Sequence, residues 1–404
     1  QSDNILTIEG IVEGGHAIYD ASYSSSIEDD PGYQDQYDDT FKYANFHLAP
    51  ASYRGDSIKV AIIDSGINTS HEDLPTINRN SKCYEWDGTQ WVYYVYSTSP
   101  SKLVDSYGHG TNVASVIASQ INNVGYAGVA PNVELYIYKV TNSNNGYEWG
   151  AMQLALSDAV AQGVDIINMS VQAYTEDVTY NGTTISGNID NSGYLQSYIN
   201  YAHSNDIPVV AAAGNYNTNK PSYPASHNYV ISVGSLAQGS YSEKAAYSNT
   251  YDIDLVAPGY FHVATKGSSN SYDSKNGTSF SSPMVTAAIA LYKQQNPSAT
   301  PSQIEAALKA SCDPISGNPT WAGSGKLNID RFLGLDEPLV TNYTVSFNAN
   351  SGSGSMSSKT TTGSSYVTPS CTFTRSGYTF DGWKLNDGKC EPCPSPKVSP
   401  NGKK

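Results

Sequence analysis

Short apolar segments alternate with helix-length segments over most of this chain, and this alternation constrains the fold more than any other feature. The segment 58–64, IKVAIID, is apolar at nearly every position, whereas a half-exposed strand alternates apolar and polar residues. Further strands of this kind are predicted at 133–140, 164–170, 207–214 and 229–235, and helices at 111–119, 149–163 and 195–206. Apolar strands separated by helices indicate an α/β fold, with a buried, mostly parallel sheet and helices on both faces.

The character of the sequence changes after residue 335 and divides the chain into unequal parts. We predict a large α/β domain at 31–335 behind a polar segment at 1–30, which is either a lead-in or the remnant of a pro-segment. A linker at 336–342 leads to a small β-rich module at 343–388, which begins with the alternating segment YTVSFNAN. The last residues, 389–404, are rich in Pro, Ser and Lys, and we expect a disordered tail there.

Charge and hydropathy exclude some classes of function. The net charge of −15 argues against a nucleic-acid partner, which would require a basic patch. No apolar run is long enough to span a bilayer as a helix, so no transmembrane segment is expected. The chain begins at Gln1 without a visible signal segment, and we interpret it as a processed or truncated form.

The chain contains five cysteines, which are Cys83, Cys312, Cys371, Cys390 and Cys393. An odd number leaves at least one thiol unpaired within a monomer. Cys390 and Cys393 form a CxxC pair, but the second pair that a zinc ribbon needs is missing. A disulfide, with Cys371 as one candidate partner, is therefore the simpler interpretation of this pair.

Four polar residues lie at the boundaries of predicted elements. Asp64 ends the first predicted strand, and Asn215 follows a later one. His109 and Ser279 each stand at the start of a predicted helix. Taken singly, each has an ordinary structural explanation as a cap, a turn residue or a buried histidine. Active sites of open parallel sheets gather at the carboxyl ends of strands, so the four residues are also candidates for one site.

Five sequence blocks surround these residues. They are AIIDSGI at 61–67, GHGTNVAS at 108–115, IINMS at 166–170, VVAAAGN at 209–215 and NGTSFSSPMV at 276–285. In this order they resemble the motifs of the subtilisin-like serine proteases, the peptidase S8 family, and five ordered blocks are far more specific than any one alone. The resemblance covers roughly residues 31–335. It implies a subtilisin-like α/β fold and the activity of a serine endopeptidase.

The resemblance implies a role for each of the four residues. Ser279 would be the nucleophile and His109 the general base, with Asp64 orienting the imidazole and stabilising its protonated form. Asn215 and the backbone N–H of Ser279 would donate hydrogen bonds to the oxyanion of the tetrahedral intermediate. No cofactor and no metal are expected to take part in the chemistry.

The resemblance also implies where a substrate binds. The candidate substrate-binding residues are Ser170, Val171, Gln172, Gly214 and Ser222. Gln172 stands where the family usually has glycine, so we expect it to narrow the adjoining subsite or to change its polarity. The segment KPSYPASHN at 220–228 resembles a wall of the specificity pocket, and no acidic residue is evident there. An apolar or aromatic residue before the scissile bond is therefore favoured over Lys or Arg.

Structural calcium is a further implication of the resemblance. Members of the family often bind calcium through an N-terminal glutamine, an aspartate after the catalytic strand and an Asn-rich loop. Gln36, Asp73 and INNVG at 121–125 occupy comparable places, and their oxygen atoms suit calcium. The loop is shorter than in strong binders, and three oxygen-bearing residues also occur by chance, so the sequence leaves this site open.

The segments YTVSFNANSGSGSMSS and GYTFDGW of the small module resemble the Listeria–Bacteroides, or internalin B-type, repeat of bacterial surface proteins. Such repeats are β-grasp-like spacers or adhesion modules. We therefore predict a bacterial endopeptidase that is secreted or attached to the cell surface and acts on protein or peptide substrates. The alternative is a catalytically idle surface adhesin, in which the repeat binds and the α/β domain is a scaffold.

Overall fold

The computed structural model describes residues 30–335 apart from 47–52, 188–193 and 267–269, and it also describes residues 5–7 and short segments between 342 and 396. The chain divides into two compact units. The larger unit is Ala21–Asp336, and the smaller unit combines Gln1–Asp20 with Glu337–Lys404. Each unit is described by itself below.

The regular elements are numbered along the chain. The strands are β1 Ile5–Thr7, β2 Lys59–Asp64, β3 Lys82–Trp86, β4 Trp91–Val95, β5 Glu134–Lys139, β6 Ile166–Met169, β7 Val178–Tyr180, β8 Thr183–Ile185, β9 Val209–Ala212, β10 Val230–Leu236, β11 Leu255–Pro258, β12 Tyr260–Ala264, β13 Tyr272–Asn276, β14 Asn342–Val345, β15 Lys359–Thr362, β16 Ser365–Val367, β17 Tyr378–Asn386 and β18 Lys389–Pro396. The α-helices are α1 Tyr33–Asp39, α2 His109–Ala118, α3 Trp149–Ala161, α4 Gln196–Ser204, α5 Thr278–Gln295, α6 Pro301–Ser311 and α7 Ile329–Phe332. None of the described helices has both the length and the apolar character needed to cross a membrane.

An eight-stranded sheet forms the centre of the larger unit, in the order β11-β10-β9-β6-β2-β5-β3-β4. All neighbouring strands are parallel except β3 and β4, which form an antiparallel hairpin at one edge. β2 lies between β5 and β6 in the middle of the sheet. The prediction of a mostly parallel sheet is confirmed.

Helices cover both faces of this sheet. Successive residues of a strand point to opposite faces, and accordingly Val60 and Ile62 belong to one hydrophobic cluster and Ala61 and Ile63 to a second. The first cluster includes residues of α2 and α5, and the second includes residues of α3 and α4. Since both faces are buried, the central strands are apolar at every position, and this explains the lack of alternation in their sequences.

The carboxyl ends of the central strands hold the polar residues that the sequence singled out. β2 ends at Asp64, β6 is followed directly by Ser170, and β9 leads within three residues to Asn215. The amino ends of α2 and α5 add His109 and Ser279 to the same edge, because each is hydrogen-bonded to one of these strand ends. The fold thus gathers five separated segments of the chain in one place.

The smaller unit consists, in its described residues, of two-stranded antiparallel ribbons, namely β1 with β16, β14 with β15 and β17 with β18. β1 lies within the predicted lead-in at 1–30, and β18 lies within the tail at 389–404, where disorder was expected. Proline lacks the N–H that a central strand would need, but a ribbon strand has an outer edge that tolerates the prolines of β18. The domain limits and the β-grasp arrangement of the repeat remain predictions.

Three cysteines are free thiols among the described residues, namely Cys83, Cys312 and Cys371. The disulfide considered for Cys371 is therefore not formed in this structure. Burial raises the pKa of Cys83 and of Cys312 to about 12, so both thiols stay protonated near neutral pH. The side chains of Cys390 and Cys393 lie outside the described residues.

Candidate active site

A buried carboxylate and an imidazole meet at the carboxyl end of β2. Asp64 is fully buried, and its Oδ1 and Oδ2 atoms lie 2.8 and 3.0 Å from Nδ1 of His109. A carboxylate only accepts hydrogen bonds, so Nδ1 of His109 carries a proton and donates it to Asp64. In the neutral imidazole Nε2 then has no proton, and Nε2 is the atom that can accept one.

Two opposed effects set the pKa of His109. Burial lowers it, whereas the charge and the hydrogen bond of Asp64 raise it, and the charge of Asp105 adds in the same direction. The net result is a pKa above the ordinary value of 6.5. The imidazole is therefore more basic than that of a free histidine, and it becomes protonated at a higher pH.

A second buried carboxylate, that of Asp105, fixes the loop before α2. Its hydrogen-bond donors are the backbone N–H groups of Tyr107, Gly108 and Thr111 and the hydroxyls of Ser65 and Thr111. Asp105 is 2 % exposed, and these contacts hold the start of α2, and with it His109, in one position. Sequence reasoning gave Asp105 no role, although an acidic residue four positions before His109 was a visible signal.

Ser279 lies in the first turn of α5, where the helix presents backbone N–H groups with partial positive charge. The N–H of Thr278 is bonded to Asn215 at 2.9 Å, whereas the N–H of Ser279 makes no hydrogen bond within the described part of the chain. Ser279 is partly exposed, although most of α5 is buried. The position therefore combines an accessible hydroxyl with an unused backbone donor.

A proline in the second turn of α5 leaves the carbonyl of Ser279 without its usual helical partner. Pro283 has no N–H to donate to the oxygen four residues before it. The hydroxyl of Ser170 donates to that oxygen instead, over 2.9 Å. Asn168 of β6 donates to the Ser170 hydroxyl at 3.0 Å and accepts from the hydroxyl of Ser282 at 2.9 Å. The backbone beside Ser279 is thus tied to the sheet.

The hydroxyl of Ser279 donates to the carbonyl oxygen of Ser170 over 3.4 Å. Within the described residues it makes no hydrogen bond to His109, although the ring of Phe280 lies 6.2 Å from the imidazole, centroid to centroid. A rotation about the Cα–Cβ bond of Ser279 changes the partner of its hydroxyl without moving the backbone. Catalytic hydrogen bonds are often long or misaligned before substrate binds.

Asn215 is tied to the amino end of α5 through Thr278. Its Oδ1 atom accepts hydrogen bonds from the N–H and from the hydroxyl of Thr278, both at 2.9 Å. The same hydroxyl accepts from the N–H of Gly214 at 3.1 Å. Two donors on Oδ1 assign the orientation of the amide, and Nδ2 is then left as a donor beside the start of α5.

The residues predicted to bind substrate have different surroundings. The side chain of Val171 packs in the second hydrophobic cluster, so only its backbone can meet a substrate. Ser222 is 2 % exposed. Gln172 bridges two segments, because its Oε1 atom accepts from the N–H of Asn215 at 2.8 Å and from the hydroxyl of Tyr174 at 3.2 Å. Gln172 therefore contacts the backbone of the candidate oxyanion residue.

Gly214 has no room for a side chain. Its φ of +104° lies in the region that favours glycine, and a Cβ atom would collide first with Nδ2 of Asn249. It would also stand 2.7 Å from the hydroxyl of Tyr174 and 2.8 Å from Oε1 of Gln172. Tyr174 is itself 1 % exposed. The space beside Gly214 is filled by the side chains of Asn249, Tyr174 and Gln172.

Sequence reasoning also missed Tyr147, whose hydroxyl donates to Oδ1 of Asp64 at 2.8 Å. Tyr147 follows a polar turn and lies 83 positions from Asp64 in the sequence. Nothing in its local sequence indicates this contact, since it depends on how the turn before α3 folds back over β2.

Comparison with known proteins assigns this chain and its fold to one family. Residues 55–363 match the Subtilase family, Peptidase_S8, and residues 343–392 match the Listeria-Bacteroides repeat domain. Subtilisin DY of Bacillus licheniformis is 34 % identical over 283 residues, which cover 69 % of this chain and 91 % of that protein. Thermitase of Thermoactinomyces vulgaris is 32 % identical over 277 residues, which cover 68 % of this chain and 88 % of that protein. A solved protease structure from Pseudoalteromonas arctica gives a TM-score of 0.61 at 26 % identity and covers 77 % of this chain and 100 % of that one.

The fold, the ordered blocks and these matches define a serine endopeptidase. The chain belongs to the subtilase family, peptidase S8, and also carries a Listeria–Bacteroides repeat. The predictions of family, fold and enzyme class are thereby confirmed.

Proposed function

We propose that the chain hydrolyses peptide bonds through Asp64, His109 and Ser279, by way of an acyl-enzyme on Ser279. The observation that carries this proposal is the contact between Nδ1 of His109 and the buried Asp64 carboxylate. This contact fixes the tautomer in which Nε2 can act as a base, and Ser279 is the accessible hydroxyl on the neighbouring helix.

In the first step Oγ of Ser279 attacks the carbonyl carbon of the scissile bond while Nε2 of His109 takes the hydroxyl proton. The tetrahedral intermediate collapses as the imidazolium gives that proton to the leaving amine and the C–N bond breaks. In the second step water loses a proton to Nε2 and attacks the ester, and Ser279 leaves with the proton. Asp64 stays ionised throughout and stabilises the imidazolium.

Two donors support the negative charge that develops on the carbonyl oxygen. They are Nδ2 of Asn215 and the N–H of Ser279. The dipole of α5 also stabilises negative charge at this end of the helix. The tether between Asn215 and Thr278 supports this proposal, since it holds the amide in place before the reaction begins. A donor that is already in position needs no reorganisation in the transition state.

A fluorophosphonate probe tests the proposed function, because it reacts covalently with an activated serine. We expect the native chain to be labelled and the Ser279→Ala variant to remain unlabelled. Ser302→Ala, at a hydroxyl on the surface of α6, is the matched control and should label normally. Absence of labelling in the folded native chain would favour the idle adhesin that the repeat at 343–392 also allows.

The pH dependence of kcat/KM should report the raised pKa of His109. Protonated His109 cannot accept the Ser279 proton, so activity is lost as the pH falls through this pKa. The acid limb is the fall in kcat/KM on the acid side of the pH profile. Because the pKa of His109 lies above 6.5, we expect the midpoint of this limb above pH 6.5. An uncharged peptide ester assayed between about pH 5 and about pH 9 measures the limb, with circular dichroism at each pH as the control for folding. A rate that stays flat down to about pH 4 is incompatible with His109 as the base.

We propose that the residue before the scissile bond is small as well as apolar. The filled space beside Gly214, and the carboxamide of Gln172 against the backbone of Asn215, support this proposal. Ser222, the residue expected near the base of the specificity pocket, is buried as well. A large side chain would have to displace Gln172 or Tyr174 before it could bind here.

Peptide substrates that differ only in Ala or Phe at this position test the proposal. We expect the native enzyme to prefer Ala, and Gln172→Gly to raise kcat/KM for the Phe substrate by roughly tenfold or more, the scale of a relieved steric exclusion. Gln90→Gly, in an exposed turn, is the control. If Gln172→Gly leaves the ratio of kcat/KM for the Phe and Ala substrates unchanged, Gln172 does not limit the size of the specificity pocket.

We propose, further, that Gln36 and Asp73 take part in a structural calcium site. Both residues are buried, and within the described residues Oε1 of Gln36 and Oδ1 of Asp73 make no hydrogen bond. Both also contact the loop that follows 121–125, since Gln36 donates to the carbonyl of Ala127 and Asp73 accepts from the N–H of Tyr126. Burial raises the pKa of Asp73 to about 8, and a calcium ion would supply the missing positive charge when bound.

Thermal unfolding with and without calcium tests whether this site binds the ion. A ligand that binds only the folded state stabilises it, and we expect millimolar calcium to raise Tm by roughly 5 °C relative to a chelator. Asp73→Asn should abolish the difference, and Glu243→Gln on the exposed surface should preserve it. Equal Tm values in calcium and chelator for the native chain would refute the site.

We propose that the enzyme acts on proteins or peptides outside the cell, secreted or held at a bacterial surface. The repeat at 343–392 supports this proposal, because it matches a domain type that the sequence analysis associated with surface proteins. Immunodetection on intact cells and in the culture medium is the test. Detection only in the lysate would contradict an extracellular site of action.

A further inference from the structure

Asp64 receives a hydrogen bond that neither the sequence motifs nor the proposed mechanism accounts for. Its Oδ1 atom accepts from the N–H of Ser65 at 2.7 Å, from Nδ1 of His109 at 2.8 Å and from the hydroxyl of Tyr147 at 2.8 Å. The Tyr147 oxygen also lies 3.3 Å from Nδ1 of His109. One phenol therefore touches the carboxylate and the imidazole at the point where they meet.

The turn before α3 holds Tyr147 in this place independently of its hydroxyl. Asn142 organises the turn, because its Oδ1 accepts from the N–H of Gly146 and its Nδ2 donates to Glu148. Thr141 and Tyr147 form a β-bridge at the base of the turn. The ring packs against the second hydrophobic cluster. The ring and the turn thus have their own support, and the hydroxyl contributes mainly to Asp64.

The phenol stays neutral and keeps the proton that it donates to Asp64. Burial raises the pKa of Tyr147 well above 10.0, and the negative charge of Asp64 acts in the same direction. Asp64 is shielded from water, so its oxygen atoms depend on protein donors, and a donor to the charged form of a carboxylate favours that form. Sharing Oδ1 with Tyr147 also reduces the negative charge that Oδ1 presents to His109.

We propose that Tyr147 is a positioning residue of the active site, which orients the Asp64 carboxylate and moderates its attraction for the protonated imidazole. The proposal rests on the proposed function of Asp64 and His109. Without the hydroxyl, Asp64 is less firmly held and binds imidazolium more strongly. His109 then takes up a proton at a higher pH and returns it less readily to the leaving amine.

Tyr147→Phe tests this inference because it removes one oxygen and keeps the ring. We expect kcat to fall about tenfold, the scale of a lost hydrogen bond to a charged group, with a smaller change in KM. We also expect the acid limb of kcat/KM to move to higher pH by about half a unit or more. The other ionisable groups near His109 are Asp105, Tyr107 and Lys266, which the variant leaves unchanged.

Tyr84→Phe is the matched control, since Tyr84 lies in the same hydrophobic cluster and, among the described residues, its hydroxyl donates only to the carbonyl of Leu154, at 3.5 Å. This variant should lose some stability and keep the acid limb of the native enzyme. Asn142→Ala, which loosens the turn but keeps the phenol, should shift the limb in the same direction as Tyr147→Phe, by less.

A second measurement does not require turnover. The proton on Nδ1 of His109 can be followed by NMR through a pH titration in the Ser279→Ala background, where autolysis is absent. A higher titration midpoint in Tyr147→Phe supports the proposal. An unchanged midpoint and an unchanged acid limb, with only a lower Tm, would show that Tyr147 is structural. A native chain that no fluorophosphonate labels would instead refute the proposed function itself.

Discussion

Ser279→Ala and His109→Ala are each expected to lower kcat by roughly 10⁶-fold, the loss established for the corresponding pair in subtilisin. The reason is that nucleophile and base act as one unit. Without Ser279 no oxygen is in place to attack, and without His109 the hydroxyl keeps its proton. The double variant should therefore be no slower than either single variant.

Steady-state kinetics on a chromogenic peptide, with active-site titration of the native enzyme, measure these losses. Ser281→Ala is the matched control in the same helical turn, because in the described part of the chain its buried hydroxyl donates only to the carbonyl of Ala257, at 3.2 Å. Its kcat should stay within about threefold of the native value, since the lost hydrogen bond affects stability. If the fold losses in kcat of the two single variants instead multiply in the double variant, Ser279 and His109 do not act together.

Asn215→Leu is expected to lower kcat by about 10²- to 10³-fold with little change in KM, the range established for the corresponding amide in subtilisin. In the proposed mechanism the amide donates to the oxyanion, which exists only after attack, so its loss should affect the transition state more than substrate binding. Leucine has a similar size but no donor.

Two further variants separate the donor from its tether. Thr278→Val removes the hydroxyl bond to Oδ1 of Asn215 and keeps the bond from the backbone, so its effect should be much smaller. Asn219→Leu on the exposed loop should leave kcat unchanged. If Asn215→Leu instead raises KM and preserves kcat, Asn215 serves substrate binding and the oxyanion has another donor.

The layout of the sheet was accessible from sequence because burial on both faces leaves a direct pattern. The segment IKVAIID predicted a strand at 58–64, and the structure has β2 at Lys59–Asp64 with the aspartate at its carboxyl end. The order of the strands was not accessible in this way. Periodicity shows that a strand is buried but not which strand lies beside it.

The supporting contacts of the site were harder to predict because they join residues that are distant in sequence. The contacts of Tyr147 and Gln172 depend on the folding of two loops, and neither loop has a periodic pattern. Asp105 was the exception, since it precedes His109 by only four positions. Local sequence therefore indicated the proposed catalytic residues, whereas the contacts that support them depend on tertiary structure.

The proline in α5 has a consequence for which parts of the molecule can vary. Because Pro283 cannot donate, the Ser279 carbonyl is held by Ser170 and, through it, by Asn168, which is fully buried in the middle of the sheet. The backbone of Ser279 is therefore held by the buried central sheet rather than by the surface around it. A change in the loops at the rim would therefore leave the Ser279 backbone attached to the sheet.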